Sequence, residues 1–279
     1  MTRKSTSSPS WPWESIPFVT VAILLLSSCS VRHIIYPAPA ISVGKPPSGM
    51  EEVWLDTRRG VSILAWHRDG SRLSPHRPTL LYFHGNGENL ETMRLSGSLA
   101  ELDKLGVPYL AVDYPGYGRS SGAPSEASIK EAGEAALQWL VRRYPDRPRI
   151  VCGWSLGAAV ATYLAATSKD LQGLVALSAW TSLADVAALH FPSWLTGILL
   201  RESYDSAEVA VGIEMPSLVI HGDRDEIIPA AQGRALAEAI PQAEWLAIEA
   251  AGHNDLLSNG RVWRAISGFL NLVEANAAV

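Results

Sequence analysis

Six apolar runs set the rhythm of the chain: "TLLYFHG", "PYLAVDY", "RIVCGWS", "GLVALSA", "SLVIHGD" and "EWLAIEA". The first five are separated by stretches long enough for helices or larger excursions. Continuous apolar runs of this length predict strands buried on both faces, as in a parallel sheet covered by helices. Ahead of them, "EEVWLD" and "VSILAWHR" are joined by "TRRG" and alternate as a hairpin does. "SEASIKEAGEAALQWLVRRY" opens on Ser and Glu and spaces Ile129, Ala132, Ala136, Leu137 and Leu140 along one helical face. With basic residues at its end, it predicts a helix lying on the sheet. Right-handed crossovers would gather the C-terminal ends of such strands along one edge, where open α/β sheets collect their ligands. The candidate polar residues below all follow strand ends.

"VCGWSLGAAV" places Ser155 between Gly153 and Gly157, behind a strand and ahead of the alanine-rich "LGAAVATYLAA". A bare G-x-S-x-G is a weak signal, because its residue types are common. The strand-turn-helix context makes it a nucleophile candidate, with small residues letting the helix close on the strand while Oγ projects. A serine hydroxyl needs a base, and the base needs an orienter. Of seven histidines, His253 in "EAAGHNDLL" follows the last strand; His33, His67, His76 and His190 lie in the Pro/Gly-rich tether, near the hairpin or in an irregular insert. His84 and His221 end strands but precede glycines in motifs of their own. For the acid, "LVIHGDRDEIIP" offers both Asp223 and Asp225, and their chemistry alone does not choose between them.

The order Ser155, Asp225, His253 resembles the α/β-hydrolase fold family. That family's H-G-x-x-D pattern, followed by an apolar pair and Pro, matches His221, Gly222, Asp225, Ile227, Ile228 and Pro229, so the resemblance selects Asp225 as orienter and leaves Asp223 as loop support. It also implies an oxyanion hole from the backbone amides of Asn86, in "FHGNGENL", and Leu156. "DYPGYGRSSG" is similar to the family's D-x-x-G-x-G-x-S segment, in which Asp113, Gly116, Gly118 and Ser120 hold a tight loop. The resemblance runs over roughly residues 50 to 275. It implies a mostly parallel sheet of about eight strands with helices on both faces and a small lid at about 181–213. "YFHGNGEN", "YPGYGRSSG" and "GWSLGAAVA" look most like the compact BEM46-like branch, which implies ester or thioester substrates. Lid residues Leu189, Phe191, Trp194, Leu195, Ile198 and Leu199 either line an acyl pocket or pack a short helix; Trp154 is either pocket wall or core.

The 279 residues, 47% of them hydrophobic, suffice for one large domain, and a net charge of −5 leaves no basic footprint for nucleic acid. The N-terminus differs. Arg3 and Lys4 precede a Ser/Pro/Trp-rich stretch and the apolar run from Phe18 to Leu26. That run is shorter than the roughly 20 residues of a spanning helix and suits an export signal. Leu26-Ser27-Ser28-Cys29 resembles the bacterial lipobox, which implies cleavage before Cys29 and its acylation. Ser30 then mildly favours the outer membrane. The resulting organisation is a signal over 1–28, a Pro/Gly-rich tether over 29–49 and a hydrolase domain over 50–279. The expected function is a lipid-anchored serine hydrolase at the periplasmic face of the outer membrane, acting on small-molecule or acylated substrates with no metal or organic cofactor. A serine peptidase or aminopeptidase of the same fold and a non-catalytic binding lipoprotein are the competing readings.

Overall fold

The computed structural model describes residues 35–70, 73–190 and 200–277. The signal segment, Cys29 and lid residues Phe191 to Leu199 lie outside them. The strands are β1 (Met50–Asp56), β2 (Ser62–Arg68), β3 (Thr79–Phe83), β4 (Tyr109–Val112), β5 (Arg149–Trp154), β6 (Gly173–Leu177), β7 (Ser217–Gly222) and β8 (Ala243–Ile248). They form one sheet in the order β1-β2-β4-β3-β5-β6-β7-β8. The expected hairpin is the antiparallel β1–β2 pair, in register from Met50 opposite Arg68 to Asp56 opposite Ser62. β2 pairs antiparallel with β4, and every later pairing is parallel.

Alternation along the central strands divides the core into two. Leu81, Phe83, Val151, Leu174, Ala176 and Val219 face one side. There they meet α3 (Glu126–Arg143), α4 (Leu156–Thr167) and α7 (Ala230–Ala239). Leu80, Tyr82, Ile150, Cys152, Val175 and Ile220 face the other, against α1 (Leu90–Ser96), α2 (Ser98–Lys104) and α8 (Gly260–Ala277). Both faces are dry, which is why these strands read as unbroken apolar runs. α3 carries the predicted stripe, and its Ser125 cap is closed by Ser128, whose Oγ accepts from the Ser125 amide. In the lid region α5 (Leu183–His190) and α6 (Ser206–Ala210) are described. Among the described residues no helix is long and apolar enough to cross a membrane.

The tether expectation needs correction from residue 35 onward. Pro and Gly keep 35–49 irregular, yet Tyr36 and Val43 are buried in the two halves of the core. The Tyr36 and Tyr204 hydroxyls are 2.9 Å apart, Asn89 Nδ2 donates to the Ile41 carbonyl at 2.8 Å, and the Gly44 amide donates to Glu91 at 3.4 Å. Pro and Gly oppose regular structure without opposing burial. This stretch is a strap bound to the domain.

Candidate active site

Ser155 sits between β5 and α4 with φ +55° and ψ −115°. A positive φ is strained for serine and persists only where the surroundings impose it. Here they do. The Ser155 amide donates to the Leu177 carbonyl and its own carbonyl accepts from Ala158, each at 2.9 Å. Gly153 and Gly157 let the backbone close: a Cβ on Gly153 would overlap the Gly157 carbonyl, and one on Gly157 would overlap that of Phe83. The first turn of α4 therefore rests directly on the C-terminal end of β3.

The candidate base arrives on the loop after β8. Ala250 takes φ +59°, its amide bonded to Asp223 Oδ1 at 2.7 Å, and the Gly252 amide donates to Asp255 at 2.6 Å. Asp223 is thus the loop support expected of it. His253 Nε2 lies 3.1 Å from Ser155 Oγ, and Nδ1 lies 2.7 Å from Asp225 Oδ2. The three residues expected to act together are brought together, and all three are buried. The Trp154 ring, centred 5.3 Å from that of His253, walls the site. It also covers Gly85, where an added Cβ would come within 2.5 Å of the indole.

Asp225 is held more completely than its motif suggests. Oδ1 accepts from the Ile227 and Ile228 amides at 3.0 and 2.8 Å, while Oδ2 faces both His253 and, at 3.1 Å, His221 Nε2. Burial by itself would raise its pKa. The hydrogen bonds from His221 and His253, the His253 charge and the Ile228 amide outweigh that and hold the carboxyl well below the usual carboxylate range. His221 Nε2 also lies 2.8 Å from the Ile228 carbonyl, so this nitrogen carries the proton. In the sequence His221 enters only as the first residue of the H-G-x-x-D match, with no role toward Asp225. Its signal was the four-residue spacing to Asp225 inside H-G-x-x-D.

The loop after β3 is fixed in part by Tyr114 and Tyr117, which the sequence did not single out. Tyr117 Oη lies 3.0 and 3.1 Å from the Asn86 carbonyl and Oδ1, and Tyr114 Oη donates to the His84 carbonyl at 2.6 Å. Asp113 accepts from the Leu90 amide at 3.0 Å, and Ser120 Oγ from that of Leu64 at 2.9 Å. The "DYPGYGRSSG" segment thus braces the loop after β3 through Tyr114, Tyr117 and Asp113, a role beyond the tight loop of its own that the resemblance implies. Among the described residues neither the Asn86 nor the Leu156 amide has a protein acceptor. Such donors suit an oxyanion. His67, by contrast, is buried against Glu51 and Tyr144, and Leu189 is exposed on α5. The other apolar lid residues considered for an acyl pocket, and His33, lie outside the described residues. No group of three or more His, Cys, Asp or Glu among the described residues is placed to hold a metal.

The strand order, the elbow at Ser155 and the loops at the C-terminal sheet edge define the class: this chain belongs to the α/β hydrolase fold family, whose profile matches residues 78–212 and 201–260. Its relatives include an uncharacterized protein of Mycobacterium tuberculosis, 33% identical over 269 residues, covering 89% of this chain and 92% of the relative. Protein bem46 of Schizosaccharomyces pombe is 30% identical over 229 residues, covering 79% of this chain and 76% of its own. Among solved structures, the Pyrococcus furiosus esterase Pf2001 superposes with a TM-score of 0.70 at 20% identity, covering 85% of this chain and 97% of that one. At that identity the likeness is one of fold.

Proposed function

We propose that the chain is a serine hydrolase of carboxylic ester or thioester bonds. The observation that carries this reading is the unbroken contact from Ser155 Oγ through His253 to Asp225. Ser155 Oγ attacks the acyl carbonyl carbon while its proton passes to His253 Nε2. Asp225 keeps Nδ1–H in place and stabilises the imidazolium. The Asn86 and Leu156 amides donate to the oxyanion, each worth about 3 kcal/mol in the transition state. Collapse expels the alkoxide or thiolate, which takes the proton from His253. A water, deprotonated by the same nitrogen, then attacks the acyl-Ser155 ester and releases the acid. Ser155→Ala is expected to abolish covalent labelling by a fluorophosphonate while leaving thermal stability close to that of the parent chain. Undiminished labelling would remove Ser155 as nucleophile. A panel of p-nitrophenyl esters, thioesters and aminoacyl anilides reads the substrate class, and preference for the anilides would move it to an aminopeptidase.

The second part of the proposal is envelope attachment through Cys29, motivated by the apolar run ending in Leu26-Ser27-Ser28-Cys29. Two or more acyl chains would hold the protein stably at a bilayer surface, at about 0.8 kcal/mol per buried CH₂. Intact-mass analysis is expected to find residues 1–28 removed and mass added at Cys29, with Cys29→Ala left as unprocessed precursor. A free Cys29 thiol, or a retained Met1, would overturn this part and leave the catalytic part standing.

A further inference from the structure

The strap crosses the same sheet edge as the candidate site. Tyr36 meets Tyr204, whose carbonyl accepts from Trp180 Nε1 at 3.2 Å, and Trp180 lies just beyond the C-terminal end of β6. Ile41 is bonded to Asn89, the cap of α1, just beyond β3. Further along the edge, across β3 from β6, Val43 packs on Gly118 in the loop after β4, where an added Cβ would come within 2.7 Å of it. The chain therefore enters the described fold beside Tyr204, at the edge that carries the mouth of the site.

We propose that this edge, with the mouth of the site, faces the membrane that holds the N-terminus, and that acyl chains enter the site from that bilayer. The inference rests on the serine-hydrolase and Cys29-anchor reading above and adds the orientation and the source of substrate.

Reach rules out the opposite edge. Cys29 lies seven residues ahead of Tyr36. Fully extended, that length spans at most about 25 Å. A compact domain of this size is about 40 Å across. Were the opposite edge on the membrane, Tyr36 would stand about a domain's width away, beyond the reach of the anchor. With the site edge down, the span is ample.

Apolar exposure alone would not choose between the edges. Ile41, Leu189 and Ile227 on the site edge are 48%, 54% and 44% exposed, while Leu73 and Leu272 towards the far edge are 40% and 50% exposed. Charges on the site edge are mixed too, with Arg201 and Arg224 against Asp223 and Glu226. What the apolar rim supplies is a surface that tolerates seating about 5–10 Å into the headgroup boundary. The length of the leader supplies the direction.

A photoactivatable benzophenone side chain, placed singly at Ile41, Leu189, Leu73 or Leu272 of the full chain in its own membrane, tests the orientation. Illumination is expected to give phospholipid adducts at 41 and 189 and none at 73 and 272. Adducts at the far pair, equal adducts at both pairs, protein adducts only at the near pair, or none anywhere would overturn it. The source of substrate is read with the full chain in vesicles of phosphatidylethanolamine and phosphatidylglycerol. An acyl ester carried in the enzyme's own vesicles is expected to turn over roughly 10²-fold faster than the same ester in separate vesicles, the lower end of the gain from tethering. Equal rates would overturn the bilayer route. Cross-linking needs no turnover, so near-edge adducts from a chain that fails to label at Ser155 would remove the hydrolase reading and its substrate while the orientation stands.

Discussion

Asp225→Asn is expected to lower kcat on a p-nitrophenyl ester by roughly 10⁴-fold, the scale of loss known when a triad carboxylate is made neutral, whereas Asp223→Asn is expected to change it by no more than a few-fold. The difference is one of placement. Asp225 Oδ2 receives His253 Nδ1–H at 2.7 Å, and both of its oxygens are committed to donors. An amide there presents N–H to at least one group that itself donates. If the amide nitrogen takes the His253 side, the imidazole flips its tautomer and Nε2 no longer accepts the Ser155 proton. Asp223 touches the Ala250 amide instead, so its loss loosens the loop without reversing any proton. Steady-state kinetics on the two variants are the measurement. The opposite ranking would assign the wrong carboxylate.

The same substitution has a stability signature. The folded-state pKa of Asp225 is depressed below its unfolded value of about 3.9. A depressed carboxylate contributes stability that is present above the unfolded value and lost as pH falls toward the folded one. Asp225→Asn is therefore expected to unfold more easily than the parent chain near neutrality, with the gap narrowing in strong acid.

Much of this was legible before any coordinates, for a physical reason. Strands buried on both faces cannot hide, because every residue from Arg149 to Trp154 or Gly173 to Leu177 is excluded from water. The elbow was equally visible, since a turn that crowds backbone against backbone admits only glycine at Gly153 and Gly157. Asp223 and Asp225 were not separable by residue type. Their difference is the local turn that aims Asp225 at the Ile227 and Ile228 amides. The strap was misread as a tether because its anchors, Tyr36 and Val43, follow no period, and the Tyr36–Tyr204 contact joins positions 168 residues apart. His221 was set aside because its glycine motif had another explanation. That motif already contains Asp225; what it leaves out is the contact of His221 Nε2 with the same carboxylate.

Gly157→Ala is expected to cost upwards of about 4 kcal/mol, in the range reserved for a defect with a specific structural cause, and to abolish fluorophosphonate labelling with the fold. The added methyl would sit inside the Phe83 carbonyl oxygen, 2.6 Å from its carbon and 2.8 Å from the His84 carbonyl oxygen. All three are backbone atoms of β3 and the loop after it. No flexible side chain can yield, so relief requires α4 to lift from the sheet and carry Ser155 with it. Ordinary overpacking of a core costs about 1–3 kcal/mol because side chains shift; here the neighbours are held by the β3–β5 ladder itself. Gly87, two residues beyond Gly85 in the candidate oxyanion loop, is the matched control. Nothing stands within 4 Å of a Cβ built there. Gly87→Ala should therefore stay within about 0.5 kcal/mol of the parent, as changes away from such features do. Urea unfolding of the two variants reads the contrast directly. A Gly157→Ala chain as stable as Gly87→Ala would mean that α4 is not seated on β3 as described, and that the positive φ of Ser155 is not imposed by that contact.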